Sequence, residues 1–160
     1  MALSGSYSAG QQIWSTAVAS ANDSTAKEEL GAIRFEGGKV YQYVQDSGSG
    51  VTLGYIVTID KNYKVTSATG LNDDTVLAGH FGIACAALTA SYYGWVQLRG
   101  VATVAKTVTS DLAQTDNPLY VKSTGLVAAG TTSQGRLVNI WVATTATTAQ
   151  TTVECQVALL

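Results

Sequence analysis

Proline and histidine each occur once in the 160 residues, cysteine occurs twice, and charged residues make up only 12%. Each scarcity excludes something. His80 alone cannot build a multi-histidine metal site, and Cys85 and Cys155 lack the close paired spacing of a zinc clamp. Two distant cysteines in apolar surroundings also cannot form the disulfide scaffold of a small secreted domain; they read as buried free thiols, with a disulfide between neighbouring strands as the alternative. Nine Lys and Arg against eleven Asp and Glu give a net charge of -2 with no basic run, which argues against a nucleic-acid partner. No apolar run approaches the about 18 residues of a membrane span. The first 14 residues carry neither a cationic start nor an apolar core of a secretory signal, so the mature protein is expected to begin where the chain does.

Catalytic signatures are missing as well. There is no Gly-Lys-Ser or Gly-Lys-Thr phosphate loop and no Gly-x-Ser-x-Gly elbow. Gly48-Ser49-Gly50 with Gly54 misses the dinucleotide spacing and reads as a flexible hairpin loop. Asn72-Asp73-Asp74 is a turn rather than the spaced ligand series of a calcium loop. Asn22-Asp23-Ser24 matches a glycosylation acceptor that has no secretory context. His80 has no neighbouring nucleophile or orienting carboxylate in sequence, and reads as a hydrogen-bonded residue at a strand start. The expectation is a non-enzymatic chain without cofactor or metal.

What is present is 46% hydrophobic residues and many short runs rich in β-branched side chains, enough for one domain with a substantial core. Strands are expected at 32–36, 39–45, 54–59, 64–67, 80–88, 93–105, 119–122, 126–128, 137–143 and 151–159. Gly37-Gly38 suits a two-residue hairpin turn, and Asp60-Lys61-Asn62-Tyr63 suits a second turn held by side chains that bond their own backbone. With no strand-helix alternation and the single proline in a loop at Asn117-Pro118, the pattern predicts an all-β fold. An antiparallel β-sandwich or barrel-like domain over residues 31–160 is the form expected.

Residues 1–30 differ from the rest. Ile13, Trp14, Ala17, Val18 and Ala21 recur at helical spacing, and Thr25-Ala26-Lys27-Glu28 before Leu30-Gly31 fits a capping box with a glycine stop. The same Ser, Thr and Gly content suits an extended arm, so a short helix and an arm are both open here.

The candidate contact residues are aromatic and arginine side chains, the types that dominate interface hot spots. Strand alternation in Gly94-Trp95-Val96-Gln97-Leu98-Arg99-Gly100 puts Trp95, Gln97 and Arg99 on one face and Val96 and Leu98 on the core face. Leu137, Asn139 and Trp141 repeat this mixture on another strand. Together with Ile13 and Trp14 of the arm, the candidate interface is Ile13, Trp14, Trp95, Gln97, Arg99 and Trp141. Low surface charge opposes association only weakly, which points to a permanent homo-oligomer.

The segments Leu30-Gly31, Gly38-Lys39-Val40-Tyr41-Gln42-Tyr43-Val44, Leu53-Gly54-Tyr55-Ile56-Val57, Gly82-Ile83-Ala84 and above all Tyr92-Tyr93-Gly94-Trp95-Val96-Gln97-Leu98-Arg99-Gly100 resemble the capsid decoration and head-stabilising proteins of tailed bacteriophages. The later Leu119-Tyr120-Val121-Lys122-Ser123-Thr124-Gly125-Leu126-Val127 is similar to the same group, and the likeness runs from about residue 30 to residue 160. The resemblance implies a non-enzymatic β domain, often trimeric, made in the host cytoplasm and clamped on the outer capsid surface with the major capsid protein as partner. It supplies no catalytic residue. The alternative from another class is a carbohydrate-binding or adsorption module of a phage tail or surface structure, with Trp95, Trp141 and the tyrosines as stacking platforms.

Overall fold

The computed structural model describes residues 14–68, 80–106, 112, 119–123, 126–129, 140–147 and 149–158. It is all-β: ten strands and no helix among the described residues. The strands are β1 (Ile33–Glu36), β2 (Lys39–Asp46), β3 (Ile56–Ile59), β4 (Lys64–Ser67), β5 (His80–Ala84), β6 (Tyr93–Ala105), β7 (Leu119–Ser123), β8 (Leu126–Ala129), β9 (Ile140–Val142) and β10 (Thr152–Ala158).

Eight strands form one sheet in the order β1-β2-β4-β3-β5-β6-β10-β9, and an added pairing of β2 with β6 closes β2, β4, β3, β5 and β6 into a five-stranded barrel. The barrel is mixed rather than purely antiparallel, because β2 runs parallel to β4 through Gln45 opposite Lys64 and Asp46 opposite Val65. Closure leaves the five barrel strands without a free edge. Both expected hairpins form. Gly37 and Gly38 turn β1 into β2 at φ 56° and 77°, a pair of positive angles that glycine adopts without steric cost. Asp60 Oδ1 accepts from the Asn62 and Lys64 amides at 2.7 and 2.9 Å and so shapes the turn between β3 and β4.

Alternation along the strands distributes side chains to three cores. Val44, Val57, Val65, Val96 and Leu98 fill the barrel. Ile56, Phe81 and Ile83 point out of it on one side and pack with Ala102, Val104, Val121, Val127, Ile140, Val153 and Val157 of the later strands. On another side Tyr41, Tyr43 and Trp95 point outward and are covered by Ala21, Trp14, Val18 and Leu30 of the N-terminal segment. Strands of the barrel wall are therefore buried on both faces: no residue of β2, and none of Tyr93–Leu98 in β6, is exposed, although Gln42, Gln45 and Gln97 stand among them.

The 13-residue β6 serves two sheets. Its first half pairs with β2 and β5 in the barrel, and its second half with β10, which in turn pairs with β9. The change occurs at an irregularity: Val40 faces Arg99 and Tyr41 faces Gln97, so Leu98 is the extra residue of a bulge. Gly100 follows at φ 98°, where an added Cβ would lie 2.9 Å from Lys39 Cγ.

The described part of the N-terminal segment, residues 14–30, is an arm and not a helix. From Trp14 to Leu30 it lies across its own barrel, and the i to i+4 bond from the Ala21 amide to the Ala17 carbonyl, 3.1 Å, is a single turn. Glu28 does not cap a helix at Thr25; its Oε1 accepts from the Ser15 amide and hydroxyl, both at 2.7 Å. Gly48-Ser49-Gly50 likewise is no loose hairpin loop, since β2 and β3 do not pair with each other. Asp46, buried, holds the loop through Oδ2, which accepts from the amides of Gly48 (2.6 Å), Gly50 (3.1 Å) and Ser91 (3.0 Å). Asn72-Asp73-Asp74, Leu137 and Asn139 lie outside the described residues.

Candidate interaction surface

The face assigned to Trp95, Gln97 and Arg99 divides once the arm is in place. Trp95 is 0% exposed and Gln97 is also buried, so neither is available to a partner; Arg99 alone is exposed. The parity of the strand is as expected, with Trp95 opposite in sense to Val96 and Leu98, but a second layer covers the supposed outer face. Trp95 Nε1 donates to Thr16 Oγ1 at 2.9 Å, and its ring meets Trp14 edge-on at 5.2 Å and Tyr43 at 5.1 Å. The Arg34 guanidinium sits 5.8 Å from the Trp14 ring centre and 5.7 Å from that of Trp95, and donates to the Thr16 carbonyl at 2.8 Å. Trp14 thus anchors the arm to its own barrel; Ile13 lies outside the described residues.

Gln97 has an internal task instead. Its amide nitrogen donates to the carbonyls of Arg99 (3.0 Å) and Val101 (3.1 Å), the backbone on either side of Gly100. A bulge disturbs the regular ladder, and the buried amide supplies hydrogen bonds there.

Trp141 is where an exposed aromatic remains. Strands β9, β10 and the second half of β6 are buried on one face only: Ile140, Val142, Val153, Cys155, Val157, Ala102 and Val104 point inward, while Trp141, Thr152, Glu154, Gln156, Val101 and Thr103 point out. The register sets Val101 opposite Gln156 and Gln156 opposite Trp141, one row across three strands. Trp141 is 43% exposed and Val101 42%, and with strands spaced at about 4.8 Å the two lie about 10 Å apart. Among the six outward side chains only Glu154 is charged, and its Oε2 accepts from Thr144 Oγ1 at 2.9 Å. Sequence reasoning found Trp141 and missed Val101, which simple alternation from Trp95, Gln97 and Arg99 already places on the same side of β6.

The thiols carry no chemistry at this surface. Both cysteines are free; burial pushes Cys155, and likewise Cys85, up to about 12. His80 is exposed at the start of β5. No group of three or more His, Cys, Asp or Glu among the described residues could hold a metal ion. Comparison of the chain with protein-family models, with curated proteins and with solved structures finds no match in any of the three.

Proposed function

We propose that the chain is a virion structural protein, a capsid decoration protein that assembles as a homotrimer and binds the major capsid protein on the outer head surface. The observation that carries this reading is the outward row Trp141, Gln156 and Val101, around which Glu154 is the one charged side chain among the described outward residues Thr152, Glu154, Gln156, Trp141, Val101 and Thr103. Covering the exposed part of a Trp, whose whole side chain buries about 200 Å², releases about 2 kcal/mol, so this patch can supply the centre of a contact. Mixing purified protein with expanded and with immature heads of the phage that encodes it tests the proposal. Retention on expanded heads alone supports it, and absence from both removes it.

A second reading, a carbohydrate-binding module, is favoured by one observation: the exposed Trp141 ring lies in a row with the polar Gln156. With Trp95 enclosed, the platform rests on Trp141, and a glycan array separates the two readings.

A further inference from the structure

A link that takes little part in the fold joins the arm to the barrel. Ser24, Thr25, Ala26 and Lys27 are exposed in succession, and among the described residues no hydrogen bond involves Ser24, Thr25 or Ala26. Lys27 makes two long ones: its amide donates to Tyr43 Oη at 3.2 Å, and its carbonyl accepts from the Ser15 hydroxyl at 3.4 Å. Both sides of the link are fastened more firmly. Before it, Asp23 and Tyr93 exchange backbone bonds at 3.0 and 2.9 Å, and the Asn22 side chain exchanges bonds of 3.0 and 2.9 Å with Thr89. After it, the Gly31 amide donates to the Tyr43 carbonyl at 2.9 Å. Trp14, Ser15 and Thr16 are likewise held by Trp95, Glu28 and Arg34, all on the barrel side of the link. The site that receives residues 14–23 is therefore complete without the link.

We infer that the arm is exchanged between copies in the homo-oligomer: residues 14–23 of one copy dock on the Tyr43 and Trp95 face of the next, and residues 24–27 are the hinge. Exchange repeats the contacts of Trp14, Thr16, Asn22 and Asp23 in the closed single chain one for one, so none of them is lost. The need for it comes from area. Three strands by the seven residues of β10 give the Trp141 face about 300 Å² in projection, well short of the about 800 Å² per partner of a stable interface. Among the described residues the arm is the element that can leave one barrel and seat on another intact. From Asp23 to Glu28 the chain spans at most about 17 Å, so the receiving barrel is an immediate neighbour. So short a tether presents the arm to its own barrel at millimolar effective concentration, which keeps a dilute chain closed. Exchange thus belongs to the assembled state, where arms passed head to tail close a ring. The inference rests on the reading of the chain as a homo-oligomer, and not on what the oligomer binds.

The test is the full-length Asp23→Cys/Tyr93→Cys double variant, assembled, oxidised with diamide and run on a denaturing gel without reductant. Directly hydrogen-bonded partners on antiparallel backbones have Cα atoms about 5.5 Å apart, within disulfide range. Exchange predicts covalent bands of two and three chains, while the native chain and each single variant, oxidised alongside, stay at the mass of one. The two single variants refolded together should give a two-chain band, which only a contact between copies produces. A single-chain band that carries the 23–93 disulfide overturns the inference, and so does a native chain that sediments as a monomer throughout the micromolar range. Where the double variant does not fold, the native chain decides. Refolded from equal parts of ¹³C-labelled and unlabelled chain, it should show isotope-filtered NOEs between the Trp14 and Trp95 rings of different copies, and their absence overturns the exchange. The capsid reading fails separately, when an oligomer with exchanged arms leaves phage heads unbound.

Discussion

Replacing Arg34 by Ala tests how the arm is held. Its guanidinium faces both the Trp14 and Trp95 rings at under 6 Å, each contact contributing about 0.5–1 kcal/mol. Its charged hydrogen bond to the Thr16 carbonyl contributes about 1.5–3 kcal/mol. The ion pair to Glu36, which is half exposed, adds about 0–1 kcal/mol and is set near zero after solvent screening. The sum is about 3 kcal/mol of arm attachment, so local opening becomes about a hundredfold more frequent. Native-state hydrogen exchange reads this at two amides, Ala21 bonded to Ala17 and Asp23 bonded to Tyr93. Both should exchange about a hundredfold faster in Arg34→Ala, while amides of Val44 and Val96 inside the barrel keep their protection. Arg34→Lys should fall between, because it keeps the charge and loses the planar stack. If the Ala21 and Asp23 amides stay within about threefold of the native chain, the guanidinium is not what fastens the arm. If the barrel amides shift equally, the arm does not open on its own.

Asp46→Ala removes an acceptor of three amide bonds and should cost about 2–4 kcal/mol in urea unfolding, with exchange first rising at Gly48, Gly50 and Ser91. Gly100→Ala places a Cβ at φ 98° and 2.9 Å from Lys39 Cγ, and should lower stability by about 1–3 kcal/mol, a Tm shift of several degrees. The Cys85 and Cys155 thiols, both raised to about 12, should resist alkylation at pH 8 in the native protein. Since these thiols, and the phenols of Tyr41 and Tyr43 raised by burial, hold their protons more tightly when folded, the stability they contribute is complete below about pH 9. It is lost as pH rises from about 9 towards about 12, which denaturant unfolding at stepped pH measures.

Local chemistry carried most of the architecture into the sequence. The Gly37-Gly38 pair marks its hairpin because few residues other than glycine accept two successive positive φ angles, and each of the ten strands overlaps an expected run, although β5 ends at Ala84 and β9 covers only Ile140–Val142. Barrel closure was not legible, because the β2-β6 pairing joins distant segments through a bulge that no local pattern announces. Trp95 and Gln97 show the same limit: alternation gives the face of a strand, not what lies on it. The arm that covers them has side chains at helical spacing, yet its order comes from Arg34, Tyr43 and Trp95, all later in the chain. Trp141 was legible because alternation sets it on the opposite face from Ile140 and Val142, and no described segment covers that face.

Co-sedimentation of the purified chain with expanded phage heads, for the native protein and for Trp141→Ala, addresses the proposed function most directly. Saturable binding is expected, weakened about thirtyfold by the substitution, which corresponds to the about 2 kcal/mol of apolar surface that the exposed ring would lose. The monomer fold should be unaffected, since Trp141 points away from the core. Native protein that stays in the supernatant at every concentration, or a Trp141→Ala chain that binds as tightly as the native one, would contradict a capsid contact built on this face.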